Sequence, residues 1–425
     1  MKILEDDREQ LARTEVPIIT ISGTFREEIK DFYGLPSEHS TTDVVFSRAH
    51  FSMALGTAIE AWGDTIQPDK AWIADPTNYV AKNKWSKVLF TEFIGKTLAR
   101  QPLLHQLKDF LDRFGRNKLP ILDSITAPLL YLTEKVQRPI VCFHIAAGNI
   151  LVEHGKRVIQ IITDPHVRPE YVVYAHNPNM SYCVFDERTK LEVLEVAAVH
   201  HIKVDPQRII VTGPPIDPRI VVARRKKVAW RSGPLKLCIT TGGLGTNKNE
   251  IRRILQQIFP TLHHSAPYKL VVYVGTQKDI YEMVKELAQE QHIKIAADKD
   301  LEAPFRLLYH PQILEANELL IRYGFHWADG FITKPSGDMA YDAVASGCFL
   351  LTLQEWGVWE QKIRELFEQK DIAVRAESEH FLEQLRVLQS AQSGISWIER
   401  AMNHSLGIEK LFLLGNKKII EVARK

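Results

Sequence analysis

Short apolar runs alternate along the chain with longer stretches in which apolar residues recur every three or four positions. The runs include Pro139–Phe143, Val158–Ile162, Ile209–Val211, Leu235–Ile239 and Leu270–Val274. A strand covered on one face alternates apolar and polar residues, whereas a strand covered on both faces reads as continuous. The pattern therefore predicts parallel strands joined by crossover helices, the doubly wound α/β class. Asp43–Phe46 reads as one more strand. It feeds through Ser47-Arg48-Ala49-His50 into a helix carrying Met53, Leu55 and Ile59. Phe331 and Ile332 close another. There is no internal repeat and no low-complexity tract.

The pattern breaks at Gly213-Pro214-Pro215-Ile216-Asp217-Pro218, followed by Arg224-Arg225-Lys226-Lys227 and Ser232-Gly233-Pro234. Proline, glycine and charge cluster here as in a linker, and a fresh strand begins at Leu235. Two Rossmann-like domains of similar size are expected, residues 1–215 and 216–400, facing each other across a cleft. An amphipathic segment at 401–425 would cross back onto the first. A chain of 425 residues is long enough for two or three large cores. In such sheets ligands bind beyond the carboxyl ends of the strands.

Composition narrows the partners. A net charge of +2 gives no global field for nucleic acid. Cys142, Cys183, Cys238 and Cys348 are far apart with no CxxC pair. They predict buried free thiols, no metal site and a reducing, cytoplasmic compartment. The N-terminus is acidic and lacks the apolar core of a signal peptide. No run approaches the ~18 apolar residues of a spanning helix. Residues 81–118 carry nine Lys/Arg against three Asp/Glu, interleaved with Trp85, Phe90, Phe93 and other apolar residues. That is either a basic amphipathic region lying on an anionic membrane surface or a pair of solvated helices packed on the sheet.

The richest chemistry follows Ile332. Thr333-Lys334-Pro335-Ser336-Gly337-Asp338 reads as a strand end, a tight turn and a capped helix, stopped by Gly347 where φ > 0 is wanted. Amides at such a turn attract a phosphate, Lys334 adds a cation, and Asp338 and Asp342 share one helix face. An ordinary βα turn is the plainer reading. The Lys-Pro-Ser-Gly run with an acid at this spacing favours nucleotide binding. Gly242, Gly243 and Gly245, with Thr246, form a second glycine-rich turn after a strand, where backbone can approach a ligand closely. Glu360 and Gln361 lie in a polar, aromatic loop beyond. In the first half, His50 at a helix start and Asp164 and His166 after a strand are candidate acid/base groups. A lone histidine there is more often structural, and Asp164-Pro165 also serves simply to turn the chain.

Taken together these residues resemble the GT-B glycosyltransferases of the branch that holds MurG, monogalactosyldiacylglycerol synthases and bacterial processive diacylglycerol glucosyltransferases. Thr333–Gly337 is similar to that branch's Thr-Lys-Pro-Gly-Gly turn, and Asp342 falls on its ribose-binding glutamate. Gly242–Gly245 matches its Gly-Gly-x-Gly turn, Glu360 lies near its Gln-Glu pair, and Thr163-Asp164 resembles its Thr-Asp. Gly213–Ile216 resembles its Gly-x-Pro-Ile linker, and His50 falls on the histidine of its Gly-Gly-Gly-His loop. The differences are Ser47, Arg48 and Ala49 for the three glycines, Asp338 for an apolar residue or proline, Met339 for a hydroxyl residue, and Asp for Glu at 342. The resemblance implies metal-independent, inverting transfer from a UDP-sugar to a lipid or other hydroxyl acceptor, with no cofactor, on the inner face of a membrane. A UDP-sugar 2-epimerase using His50, Asp164 and His166, and a non-catalytic nucleotide-sugar binder, remain open.

Overall fold

The structure, a computed structural model, describes residues 2–25, 43–86, 89, 120–242, 245–262, 267–391 and 394–425. The chain forms two compact units, Met1–Pro218 with Lys410–Lys425, and Arg219–Glu409. Apart from its start, the basic stretch 81–118 lies outside the described residues, as does Gly243.

Unit 1 is built on β1 (Val16–Ile19), β2 (Ala71–Ala74), β3 (Ile140–Cys142), β4 (Val158–Ile161), β5 (Met180–Val184) and β6 (Ile209–Val211). All pairings are parallel, in the order β2-β1-β3-β4-β5-β6. The order reverses between β1 and β3. Ile18, Ile140, Val141 and Cys142 have no exposed surface, as strands covered on both faces require.

The strand expected at Asp43–Phe46 does not join this sheet. Val45 makes only an isolated antiparallel bridge to Gly23. The Phe46 and Ser47 N–H groups both donate to the Ser22 carbonyl, at 2.8 and 3.1 Å. The run is apolar because Val44 and Val45 are buried, and its work is to pin the turn after β1.

Unit 2 carries β7 (Leu235–Thr240), β8 (Tyr268–Gly275), β9 (Phe305–Tyr309), β10 (Gly330–Thr333), β11 (Phe349–Thr352) and β12 (Ala373–Arg375). They are again parallel, in the order β12-β11-β10-β7-β8-β9. Here the reversal lies between β7 and β10. A doubly wound sheet opens a crevice at the carboxyl ends of such a pair.

Part of the charged run read as linker is structural. Arg224 donates to Ala345 O at 3.2 Å and to Leu406 O, and Lys227 to Phe325 O at 2.9 Å. These cations satisfy carbonyls at helix ends, and burial lowers the Arg224 pKa. The helix Gly415–Ala423 packs in unit 1, where Asn416 accepts from Thr57 Oγ1 at 2.6 Å and donates to Ile216 O at 2.6 Å. Close backbone approach explains the glycine there. A Cβ on Gly415 would stand 1.9 Å from Pro214 O.

All four cysteines are free and buried, and burial pushes the Cys183 thiol up to about 12. Among the described residues no helix is long and apolar enough to cross a membrane, and no group of three or more His, Cys, Asp or Glu is placed to hold a metal.

Candidate functional site

The unit 2 crevice is lined by the turns that leave β7 and β10. The two strands are tied at their ends, Thr240 Oγ1 donating to Thr333 Oγ1 at 2.7 Å. After β7 the chain turns tightly, with Gly245 N–H on Gly242 O at 2.8 Å and Gly245 and Asn247 at φ +67 and +64. Gly242 leaves room for its neighbours. A Cβ there would meet Lys334 Cε and Thr246 Oγ1 at 3.2 Å and Lys334 Nζ at 3.5 Å. The two turns singled out in the sequence are thus brought together. Thr246 is buried, and its hydroxyl has no hydrogen-bond partner among the described residues.

Lys334, the cation read beside this turn, is ion-paired. Its Nζ lies 2.6 Å from Glu360 Oε1, with the two side chains 12% and 1% exposed. Burying either charge alone would cost several kcal/mol, and the pairing offsets that. Glu360 sits in the first turn of the helix Val358–Gln369, and its Oε2 accepts the Trp356 N–H at 2.6 Å. The Trp356 ring lies 5.8 Å from Lys334 Nζ. Gln361 is exposed and donates to Glu365 Oε1 at 2.7 Å, along its own helix.

Beyond Pro335, Ser336 caps the turn, accepting Met339 N–H at 3.3 Å while its hydroxyl donates to Asp338 Oδ1 at 2.6 Å. Gly337 follows in the turn. The helix Met339–Ala345 is buried at every residue, and Asp338 and Asp342 are each only 6% exposed. Gly347 closes this segment at φ +89.

A clamp that the sequence reading missed joins the glycine turn to the loop after β11. Asn247 Nδ2 donates to Gln354 O and to Glu250 Oε2, both at 2.9 Å, and Gln354 N–H returns to Glu250 Oε2 at 3.1 Å. Both backbone polar groups of Gln354 are held. Burial pushes the Glu250 carboxyl up, opposed chiefly by the Asn247 hydrogen bond. The Asn-x-x-Glu spacing at a helix start is a capping signal and was its only trace in the sequence.

In unit 1 the acid/base candidates gather where β3 and β4 end. Ser47 caps the helix Arg48–Trp62 by accepting His50 N–H at 3.2 Å. The His50 ring reaches Thr163, with Nε2 3.4 Å from Thr163 Oγ1, which is 3.5 Å from Tyr171 OH. His144, which the sequence reading did not single out, packs edge-on against His50 with ring centroids 5.2 Å apart. Its Nδ1 accepts Ala146 N–H at 3.1 Å, capping the next helix. Its signal was position, two residues after β3, as Thr163 is after β4. Asp164 is half-buried. His166 turns to Glu192, with Nδ1 2.9 Å from Oε1. The turn after β1 is held by buried Asp75, which accepts Ser22 N–H at 2.6 Å, Ser22 Oγ at 2.9 Å and Gly23 N–H at 3.1 Å.

No family model matches this chain, and no curated protein matches it by sequence. Solved structures match it by fold. The UDP-GlcNAc 2-epimerase of Neisseria meningitidis, bound to UDP-GlcNAc, gives a TM-score of 0.53 at 13% identity over 96% of this chain and 99% of that one. The α,α-trehalose 6-phosphate synthase of Burkholderia multivorans gives 0.51 at 13% identity over 97% and 96%. The MnaA protein of S. aureus, in complex with UDP, gives 0.50 at 12% identity over 95% of each chain. The chain has the GT-B architecture, an α/β fold of two six-stranded parallel sheets with flanking helices.

Proposed function

We propose that this chain is an enzyme acting on a nucleotide-sugar, with a UDP-sugar as its substrate. The observation that carries the reading is the meeting of the Gly242 and Lys334 turns beyond β7 and β10, the strand pair at which the sheet order reverses. In this reading backbone N–H groups of the glycine turn, the Thr246 hydroxyl and Lys334 hold the diphosphate, and Asp342 takes the ribose diol. Glu360 anchors Lys334. Proteins solved with UDP-GlcNAc and with UDP on the same fold support the choice of nucleotide.

The reaction has two forms. In transfer, His50 accepts the proton of an acceptor hydroxyl, the freed electron pair forms the bond to the anomeric carbon with inversion, and the nucleoside diphosphate leaves with the old bond pair. The acceptor class suggested by the family resemblance is a lipid hydroxyl at an anionic membrane surface. In 2-epimerisation no acceptor is consumed, and more than one proton-transfer group is needed. The pairing of His50 with His144, and of His166 with Glu192, favours this second form.

Incubation with UDP-GlcNAc separates them. Transfer releases UDP only when a hydroxyl acceptor such as diacylglycerol is added. Epimerase chemistry alters the sugar with no acceptor present. Neither product, together with no thermal shift on adding UDP-GlcNAc, would contradict both forms.

A further inference from the structure

We propose that His166 and Glu192 form a working dyad in which His166 accepts a substrate proton and Glu192 is the positioning residue. The proposal rests on the nucleotide-sugar reading above and assigns a role to a residue with no motif around it. Glu192 comes from the helix Glu187–Val199, 26 positions along the chain from His166. One of its carboxylate oxygens, Oε1, takes both the His166 Nδ1 contact at 2.9 Å and the Val167 N–H at 3.1 Å. The backbone therefore fixes the carboxylate, and the carboxylate fixes the ring.

A carboxylate only accepts, so the neutral imidazole carries its proton on Nδ1 and its basic lone pair on Nε2. That is the arrangement of a base oriented by a third group. The side chains of His166 and Glu192 are 25% and 15% exposed, so the carboxylate is the better shielded and the ring the more accessible. His166 lies on the same loop as Thr163, whose hydroxyl touches His50. In the step assigned to it a substrate O–H or C–H bond breaks, the proton goes to His166 Nε2, and the electron pair stays on the substrate atom. Glu192 stabilises the imidazolium that results. An ion pair at a solvated surface would contribute little, and its loss would leave turnover untouched.

The test uses the full chain with ¹⁵N-labelled histidine and the variants Glu192→Gln, Glu192→Ala and His166→Ala. Long-range ¹H–¹⁵N spectra of the neutral ring are expected to show the Nδ1–H tautomer of His166 in the wild type and in Glu192→Gln, whose amide oxygen still accepts, and the Nε2–H tautomer in Glu192→Ala. Turnover of UDP-GlcNAc should fall at least about tenfold in Glu192→Ala at unchanged KM. Glu192→Gln should fall less, and Glu192→Ala combined with His166→Ala should be no slower than His166→Ala alone. An Nε2–H tautomer in the wild type, or full turnover in Glu192→Ala, overturns the dyad. Absence of UDP-GlcNAc turnover in the wild type counts against the nucleotide-sugar reading instead, and the tautomer then decides whether Glu192 positions His166.

Discussion

Lys334→Met is expected to destabilise unit 2 by about 3–5 kcal/mol and to weaken UDP binding by roughly ten- to a hundredfold. The first figure follows from the geometry of the pair. Lys334 Nζ and Glu360 Oε1 are 2.6 Å apart with both side chains largely out of solvent, and removing one partner of a buried pair leaves the other charge uncompensated. The second figure is that of one lost charge-assisted contact, about 1.5–3 kcal/mol. Glu360→Gln separates the two effects. Its amide oxygen still accepts from Lys334, so less stability is lost. With its counter-charge gone, Lys334 is more available to an anion, and UDP should bind more tightly than to the wild type. Combining Lys334→Met with Glu360→Gln should recover part of the lost stability. Denaturant melts and calorimetry check both arms. If Glu360→Gln weakens UDP binding as much as Lys334→Met does, Glu360 touches the ligand itself and the anchoring role assigned to it is wrong.

His50→Ala is expected to slow turnover by roughly 10²–10⁴-fold, the usual worth of a general base, with UDP affinity unchanged. UDP affinity is spared because His50 belongs to unit 1 and the donor turns to unit 2. The substitution keeps the helix cap, since it is the His50 backbone N–H that Ser47 holds, at 3.2 Å. Thr163→Val, which removes the hydroxyl 3.4 Å from His50 Nε2, should give a smaller loss of the same kind. Steady-state kinetics set beside calorimetry decide the matter, and undiminished turnover in His50→Ala removes His50 from the chemistry.

Much of the fold was legible because a strand covered on both faces has no polar alternation to hide it. Ile209–Val211 is recovered residue for residue, and Leu235–Ile239 to within one residue as β7. β1 was not legible. It is four residues long and contains Pro17, which argues against a strand interior; yet it is the second strand of the first sheet, between β2 and β3. The apolar run at Asp43–Phe46 drew the strand assignment in its place. In the candidate site, the glycine turn and the lysine turn were legible because each is a local motif of backbone and charge. The partners that define their state were not. Glu360 on Lys334, Gln354 between Asn247 and Glu250, His144 on His50 and Glu192 on His166 are contacts between separate elements, and only the sheet order brings those elements together.

If the crevice beyond β7 and β10 holds a nucleoside diphosphate, titration of UDP by calorimetry into the wild type and into Gly242→Val should show it. A Cβ at 242 alone would come within 3.2 Å of Lys334 and Thr246, so the larger side chain must occupy the space assigned to phosphate. Saturable binding to the wild type is expected, with a loss of about tenfold or more, 1.4 kcal/mol, in a Gly242→Val protein that still melts cooperatively. No binding by the wild type, or equal affinity in the variant, would contradict the assignment.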